Sequence, residues 1–345
     1  MGFVVSSLPD YVERNRDRIV KAMVLGGRTL DRINVQTGIK HTGAINVLNV
    51  DPTLQAASCN PSASGNTTFT QRTISVAHIG YYLTWCKEDL LGKWTEYQVK
   101  LAAAKADNQP MPFEEFIIEQ LLEKANRDTE KLIWLGDTAQ TTAPVIKLGD
   151  GLVKIASNDA NTVKVSLTDG VDAYSAIKQV ILAIPAAVLE KACVFVSPDT
   201  FLKFAQTLVE RNFFHFGVEG TPDEIEFPGT GVKVVKTAGL AGSSAILAAD
   251  PANLYFGCDL ENDAERFDLA YDAFTGYKLA MTWGAGVNYA ISSEVVIATI
   301  SSEDTGIVAG DGNTAALDKI AAGVETLATT VDTTNDAVQT ITVTP

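Results

Sequence analysis

The most regular hydrophobic pattern in the chain spans residues 112–135 and predicts one long amphipathic helix. Five apolar side chains recur on one face of this helix: Phe113, Ile117, Leu121, Ala125 and Leu132. Pro112 suits the first turn, and Gly136 follows at a position where helices commonly end. At a rise of about 1.5 Å per residue, the helix would be about 36 Å long.

A second pattern precedes the helix, in residues 41–80, which are poor in charge and rich in Asn, Thr, Ser and Gly. Residues 44–50 and 67–79 have strand-like composition, and the loop between them consists of turn-forming residues. We therefore expect a long two-stranded excursion. An isolated hairpin has too small a core to be stable alone, so this element is expected to need a partner surface.

Strand and helix patterns alternate after residue 150 without the regular rhythm of a nucleotide-binding sheet. Residues 193–197 read as a short buried strand, followed by a helix that Ser197 can cap with Pro198 in its first turn. Residues 277–283 and 289–300 read as closing strands. The fold class predicted from these patterns is α+β.

The last segment, residues 301–345, is rich in Ala, Thr, Gly and Asp and contains no aromatic residue. Apolar side chains follow a three-four spacing in it: Leu317, Ile320, Val324, Leu327 and Val331. This heptad pattern predicts a helix that forms by packing against its own subunit or against neighbouring tails. Its threonine content favours the other interpretation, a disordered or strand-like tail.

The N-terminal 40 residues differ from the rest of the chain in charge. The whole chain carries 27 basic and 42 acidic residues, which gives a net charge of −15 and makes it a poor nonspecific DNA binder. Residues 1–40 carry a net charge of about +3, and 9–33 read as an amphipathic helix broken at Gly26 and Gly27. Five arginines are candidates to clasp an acidic neighbouring copy: Arg14, Arg16, Arg18, Arg28 and Arg32. A solvated helix face is the other interpretation.

The residue types that commonly act in catalysis or bind cofactors form no recognisable motif in this sequence. The three histidines lack metal-ligand spacing, no serine lies in GxSxG, and the glycine-rich stretches lack a phosphate-binding fingerprint. Four acids alternate as at the start of a calcium loop: Asp259, Glu261, Asp263 and Glu265. Ala264 and Ala270 occupy the positions where that loop needs Gly and Glu, so a solvated strand face is favoured. We therefore predict no catalytic residue, no cofactor and no metal site.

The order of these elements resembles the major capsid proteins of tailed bacteriophages, which have the Hong Kong 97 fold. The long helix of that fold often ends in a W-x-G-D motif, and Trp134-Leu135-Gly136-Asp137 resembles this motif. Residues 194–201 resemble a strand-to-helix step, and residues 253–259 resemble a returning strand. The resemblance covers about 300 residues, all except the tail.

The resemblance implies a division of the chain into six segments. These are an N-terminal arm (1–40), an extended loop (41–85), a peripheral domain (86–149) with a spine helix at 112–135, an axial domain (150–255), a return to the peripheral domain (256–300) and a C-terminal extension (301–345). The arm and the extended loop are polar and turn-rich. We therefore expect them to act between subunits and to contribute little to the core of their own subunit.

The function implied by the resemblance is structural and not enzymatic. Copies of the chain would form hexamers and pentamers of an icosahedral shell that encloses double-stranded DNA without sequence-specific binding. Implied partners are scaffold, portal and decoration proteins, and implied locations are the host bacterial cytoplasm during assembly and then the virion capsid. No apolar run approaches the length that spans a membrane.

Three other functions are compatible with these patterns: the shell of an encapsulin-like compartment, another structural protein of the virion, and an enzyme with scattered catalytic residues.

The chain departs from the family pattern at the residue that forms cross-links between subunits. The family prototype joins neighbouring subunits through a lysine of the extended loop, whereas no lysine lies between Lys40 and Lys87 here. The resemblance therefore does not imply a covalently linked shell.

Overall fold

The helices predicted near the N-terminus and at residues 112–135 are both present in a computed structural model of the chain. The structure describes residues 7–57, 59, 64–85, 113–141, 143–167, 171–211, 223–259, 266–272 and 276–299. Helix α1 (Ser7–Leu25) ends directly before Gly26, and α2 (Phe113–Leu135) carries the long apolar stripe. Shorter helices follow in the described part: α3 (Leu152–Asn158), α4 (Ala173–Leu182) and α5 (Pro198–Glu210).

The strands of the described residues form three sheets, which confirms the α+β class. The N-terminal strands are β1 (Asn34–Gln36), β2 (Thr42–Pro52), β3 (Gly65–Ser75) and β4 (Ala77–Trp85). The middle strands are β5 (Val163–Ser166), β6 (Cys193–Val196), β7 (Glu224–Glu226), β8 (Lys233–Lys236) and β9 (Ala245–Ala249). The last are β10 (Leu254–Gly257), β11 (Arg266–Asp272), β12 (Gly276–Tyr289) and β13 (Val296–Thr299).

The six-stranded sheet has the order β5-β13-β9-β6-β8-β7 and is buried on both faces. Successive residues of a strand point to opposite faces. In β6, Phe195 faces the core around α2, whereas Val194 and Val196 face a second core beneath α4 and α5. Because both faces are covered, the central strands are apolar at nearly every position. This confirms the buried strand predicted before Ser197, whose hydroxyl accepts a hydrogen bond from the Thr200 N–H and caps α5.

The five-stranded sheet has the order β1-β10-β12-β11, and β4 also pairs with β12. It encloses the larger core together with α1 and α2. Trp134, near the end of α2, is fully buried there and its indole N–H donates to the Thr29 hydroxyl at 3.0 Å. Its ring centroid lies 4.9 Å from that of Phe195. One side chain thus joins the N-terminal segment, α2 and the six-stranded sheet.

The expectation that the N-terminal arm contributes little to the core of its own subunit is wrong for the described residues. Val12, Ile19, Met23 and Val24 of α1 are buried in the core that contains α2. These positions fall on one face of a helix, so the stripe was readable in the sequence, although charged residues dominate the rest of α1. Beyond α1, the backbone N–H of Thr29 donates to the buried Glu130 carboxylate at 3.0 Å.

The predicted two-stranded excursion is confirmed. Strands β2 and β3 pair antiparallel from Thr42 opposite Ser75 to Pro52 opposite Gly65, and we call this element the extended ribbon. It is shorter than the predicted segment 41–85, because residues 77–85 form β4 and pair with β12. Strand-like composition continues from β3 into β4, so the sequence alone does not show that the chain changes sheets there.

The C-terminal part of the described chain is shared between the two larger sheets. Strands β10 and β12 pair within the five-stranded sheet, whereas β13 pairs with β5 and β9 in the six-stranded sheet. The predicted segment 256–300 is therefore divided and does not lie within one sheet. Among the described residues, no helix is long and apolar enough to span a membrane.

Candidate assembly surfaces

The outward face of the extended ribbon exposes apolar side chains. Leu48 and Phe69 lie directly opposite each other in the register, with 55% and 80% of their surface exposed. Two register positions nearer the base, on the same face, the Gln71 amide donates to the Asn46 amide oxygen at 2.8 Å. Beyond β2, Leu54 is 99% exposed. A two-stranded ribbon has no core of its own, so these side chains are available to a partner surface.

The other face of the ribbon is fixed to the subunit at its base. Ile45 and Ile74 are buried with Ile39 and Val76 in a small apolar cluster. Gly43 lies opposite Ile74, and a methyl group at this glycine would come within 2.5 Å of the Ile39 side chain. The glycine therefore permits the close packing that holds the ribbon to the body.

A polar cluster next to these apolar residues centres on Arg72 of β3. The Arg72 guanidinium donates to the Asp159 carboxylate at 2.9 Å and also contacts the Ser292 hydroxyl. It lies 4.3 Å from the centre of the Tyr289 ring, within the range of a cation–π interaction. The Tyr289 and Ser292 hydroxyls donate to Asp159 at 2.9 and 2.8 Å. The cluster joins the extended ribbon to the end of β12 and to the loop after α3.

The Asp159 carboxylate is held in its ionised form. Burial acts to raise the pKa of Asp159, but hydrogen bonds from the backbone N–H of Asn161, from Arg72 and from Ser292 outweigh this effect. The pKa of this carboxyl therefore lies well below its usual range. The negative charge persists at neutral pH and favours the bound position of the Arg72 guanidinium.

The predicted arm arginines on α1 contact acids of their own chain. Arg18 lies 3.2 Å from Glu115 and also donates to the Tyr11 hydroxyl, and Arg16 lies 3.6 Å from Asp268. These guanidinium groups are half exposed or more, so their ion pairs contribute about 0–1 kcal/mol each. The side chain of Arg14 is exposed and forms no ion pair with a described residue.

Two further arm arginines join the segment after α1 to the start of β7. Arg28 pairs with Asp223 at 2.8 Å, and Arg32 pairs with Glu224 at 2.9 Å. A hydrogen bond from Lys236 lowers the pKa of Asp223, and one from Arg32 lowers the pKa of Glu224. The same two carboxylates thus link the segment after α1 to the edge of the six-stranded sheet.

This arrangement of helices, sheets and ribbon is similar to that of solved phage and capsid particles. A structure of Gordonia phage Cozz matches with a TM-score of 0.53 and 12% identity, over 80% of this chain and 86% of that one. A capsid of an empty GTA particle matches with a TM-score of 0.51 and 14% identity, over 81% and 90% of the two chains. Microbacterium phage Oxtober96 matches with a TM-score of 0.50 and 12% identity, over 79% and 90%.

The chain has the capsid fold of the tailed phages. The resemblance drawn from the order of elements is thereby confirmed for the fold. No protein-family model matches the sequence, and no curated protein matches it.

Several predicted positions of this capsid fold lie outside the described residues. They are Leu317, Ile320, Val324, Leu327 and Val331 of the tail, together with Glu261, Asp263 and Glu265 of the acidic run. Asp259, the first acid of that run, is fully buried, so it does not belong to a solvated face. The tail and the arm arginines stay predictions as assembly residues.

Two features of the capsid fold were missed in the sequence, and a sequence signal exists for only the first of them. Arg72 is the single Lys or Arg between Lys40 and Lys87, in a stretch with almost no charge, and such isolation is typical of a specific ion pair. Leu48 and Phe69 become a pair through the register of the ribbon, which turn length does not fix when the loop is long.

Proposed function

We propose that the protein is the major capsid protein of a tailed phage, copies of which assemble into an icosahedral shell around double-stranded DNA. The observation that carries this proposal is the exposed apolar pair Leu48 and Phe69 on the extended ribbon of a capsid fold. The proposed role is structural: each copy would make many contacts with its neighbours, and each contact would contribute little binding energy by itself. The similar GTA structure is described as a capsid.

The fold suggests a role for each part of the subunit in such a shell. The core around α2 and the five-stranded sheet corresponds to a peripheral domain, and the six-stranded sheet with α4 and α5 corresponds to an axial domain. The extended ribbon reaches a neighbouring copy. Because the arm ion pairs of Arg16, Arg18 and Arg28 are exposed, they can be exchanged for acids of a neighbour at little cost.

The charge of the chain is compatible with enclosing a genome without binding its sequence. A net charge of −15 repels phosphate groups, which would leave packaged DNA mobile. Scaffold, portal and decoration proteins are the partners expected for such a shell, and assembly would take place in the host bacterial cytoplasm before the shell becomes part of the virion.

Electron microscopy of the purified protein, alone and with its phage partners, tests this proposal. We expect closed shells or hexamers and pentamers, and DNA protected from nuclease in particles from infected cells. A stable monomer under all conditions would contradict shell formation. Shells filled with a protein cargo would contradict the genome-enclosing role while leaving shell formation intact.

A double substitution, Leu48→Ser with Phe69→Ser, tests the ribbon contact directly. Both side chains are exposed in the subunit, so the variant is expected to fold normally and to fail in forming shells. Thr67→Ser, at an exposed position of the same strand, is the matched control and should assemble like the parent chain. Shells formed by the double variant at the parent yield would show that this pair is not an assembly contact.

A further inference from the structure

Two of the three histidines of the chain meet at the base of the extended ribbon. His41 directly precedes β2, where the chain runs into the ribbon, and His78 lies in β4, just after the chain has left it. The backbone N–H of Val76 donates to the His41 carbonyl at 2.8 Å and draws the two segments together. The imidazole centroids lie 5.1 Å apart, with the ring planes at 85°.

This separation fits two imidazoles that bind one metal ion. On a tetrahedral ion with metal–nitrogen distances of about 2.0–2.1 Å, the centres of two coordinating imidazole rings are about 5 Å apart. Both histidines are exposed, so the rings can turn their nitrogens toward a common point without displacing a buried neighbour. Imidazole nitrogen suits zinc, copper and nickel ions.

We propose that His41 and His78 form a binding site for a divalent transition-metal ion at the base of the extended ribbon. No group of three or more His, Cys, Asp or Glu side chains suited to a metal occurs among the described residues, so water would complete the coordination. Such a site selects nickel over cobalt, following the order of divalent metals at nitrogen ligands. It discriminates against calcium and magnesium, which prefer oxygen ligands.

A bound ion would tie the start of β2 to the start of β4 and would thereby stiffen the base of the extended ribbon. The site goes beyond the shell-forming role and does not depend on it. Its failure and the failure of that role are distinguishable, because metal binding is measured on the soluble full-length chain.

Isothermal titration of the full-length chain with NiCl₂ and with ZnCl₂ tests the site. We expect one ion per chain. Loss of an outer-shell partner already costs about tenfold or more in metal affinity, so removal of a direct ligand in His41→Ala or His78→Ala should cost at least about tenfold. His215→Ala, which removes the third histidine, is the control and should bind as the parent does. Circular dichroism confirms that each variant is folded, which is expected because both substituted side chains are exposed.

Three results would overturn the proposal. They are no nickel or zinc binding by the parent chain, binding that is unchanged in both His41→Ala and His78→Ala, and a loss of affinity that is equal in His215→Ala. A CaCl₂ titration completes the experiment. Calcium binding that competes with nickel would point to oxygen ligands and would also contradict a two-imidazole site.

Discussion

The guanidinium of Arg72 and the carboxylate of Asp159 form an ion pair of 2.9 Å although 87 residues separate them along the chain. Their side chains are 24% and 14% exposed, so solvent screens the pair far less than the ion pairs of the arm. The pair fixes β3 of the extended ribbon to the residue that directly follows α3. This charged contact adds to the apolar cluster around Ile45 and Ile74 in holding the base of the ribbon to the body.

Replacing Arg72 is expected to destabilise the subunit. Arg72→Ala would leave a largely buried carboxylate without its cation, which we expect to lower the free energy of unfolding by about 2–3 kcal/mol. Urea denaturation at pH 7 measures this change. Arg127→Ala is the control, because Arg127 pairs with Glu123 on the exposed side of α2 and its loss should cost less than about 0.5 kcal/mol. Equal effects of the two substitutions would show that the Arg72–Asp159 pair stabilises the subunit no more than an exposed ion pair does.

The effect of Arg72→Ala is also expected to depend on pH. The pKa of Asp159 is lowered in the folded chain, so the stabilisation is present above the unfolded value of about 3.9 and is lost as the pH falls below it. The difference in stability between the parent and Arg72→Ala should be constant from pH 8 to about 5 and should shrink below about pH 4. A difference that grows on acidification would contradict this assignment.

Because Trp134 connects the N-terminal segment to α2, we expect it to contribute strongly to the stability of the subunit. Trp134→Ala removes a fully buried side chain and its hydrogen bond to Thr29, and it should lower the free energy of unfolding by about 3–5 kcal/mol. Tyr82→Ala, which removes an aromatic side chain that is 74% exposed, should change it by less than about 0.5 kcal/mol. Thermal or urea denaturation distinguishes the two, and similar values would refute the role of Trp134.

The absence of lysine from the extended ribbon predicts a shell held without covalent links. No lysine lies between Lys40 and Lys87, so the cross-link made by the family prototype has no donor in this segment. Boiled particles should give one band near 36.8 kDa in denaturing electrophoresis. A ladder of multimers that survives boiling in reductant would show that another residue supplies a link.

The heptad pattern of the tail predicts a helix that depends on contacts with other residues. Leu327→Asp places a charge in the centre of the predicted apolar seam and should abolish that helix while leaving the folded body intact. Circular dichroism and particle stability measure the two effects. If removal of residues 303–345 leaves particle stability unchanged and removes no helical signal, the tail does not have this role.

Local patterns in the sequence determined the helices and most of the strands. The apolar stripe of α2, the glycine pair that ends α1, the cap at Ser197 and the two strands of the ribbon all depend on neighbours within a few residues. Hydrophobic periodicity and helix capping involve residues within that range, so both can be recognised from the sequence alone. The order of these elements was sufficient to indicate the capsid fold.

The tertiary structure alone decided which of these elements meet. Four features join elements or residues far apart in the chain: the change of sheet between β3 and β4, the packing of α1 against α2, the pairing of Arg72 with Asp159 and the approach of His41 to His78. Such contacts form only when the intervening chain is folded, and their stability depends on the surrounding burial. No local pattern encodes that environment, because the dielectric surroundings and the available partners exist only once the sheets and helices have packed together.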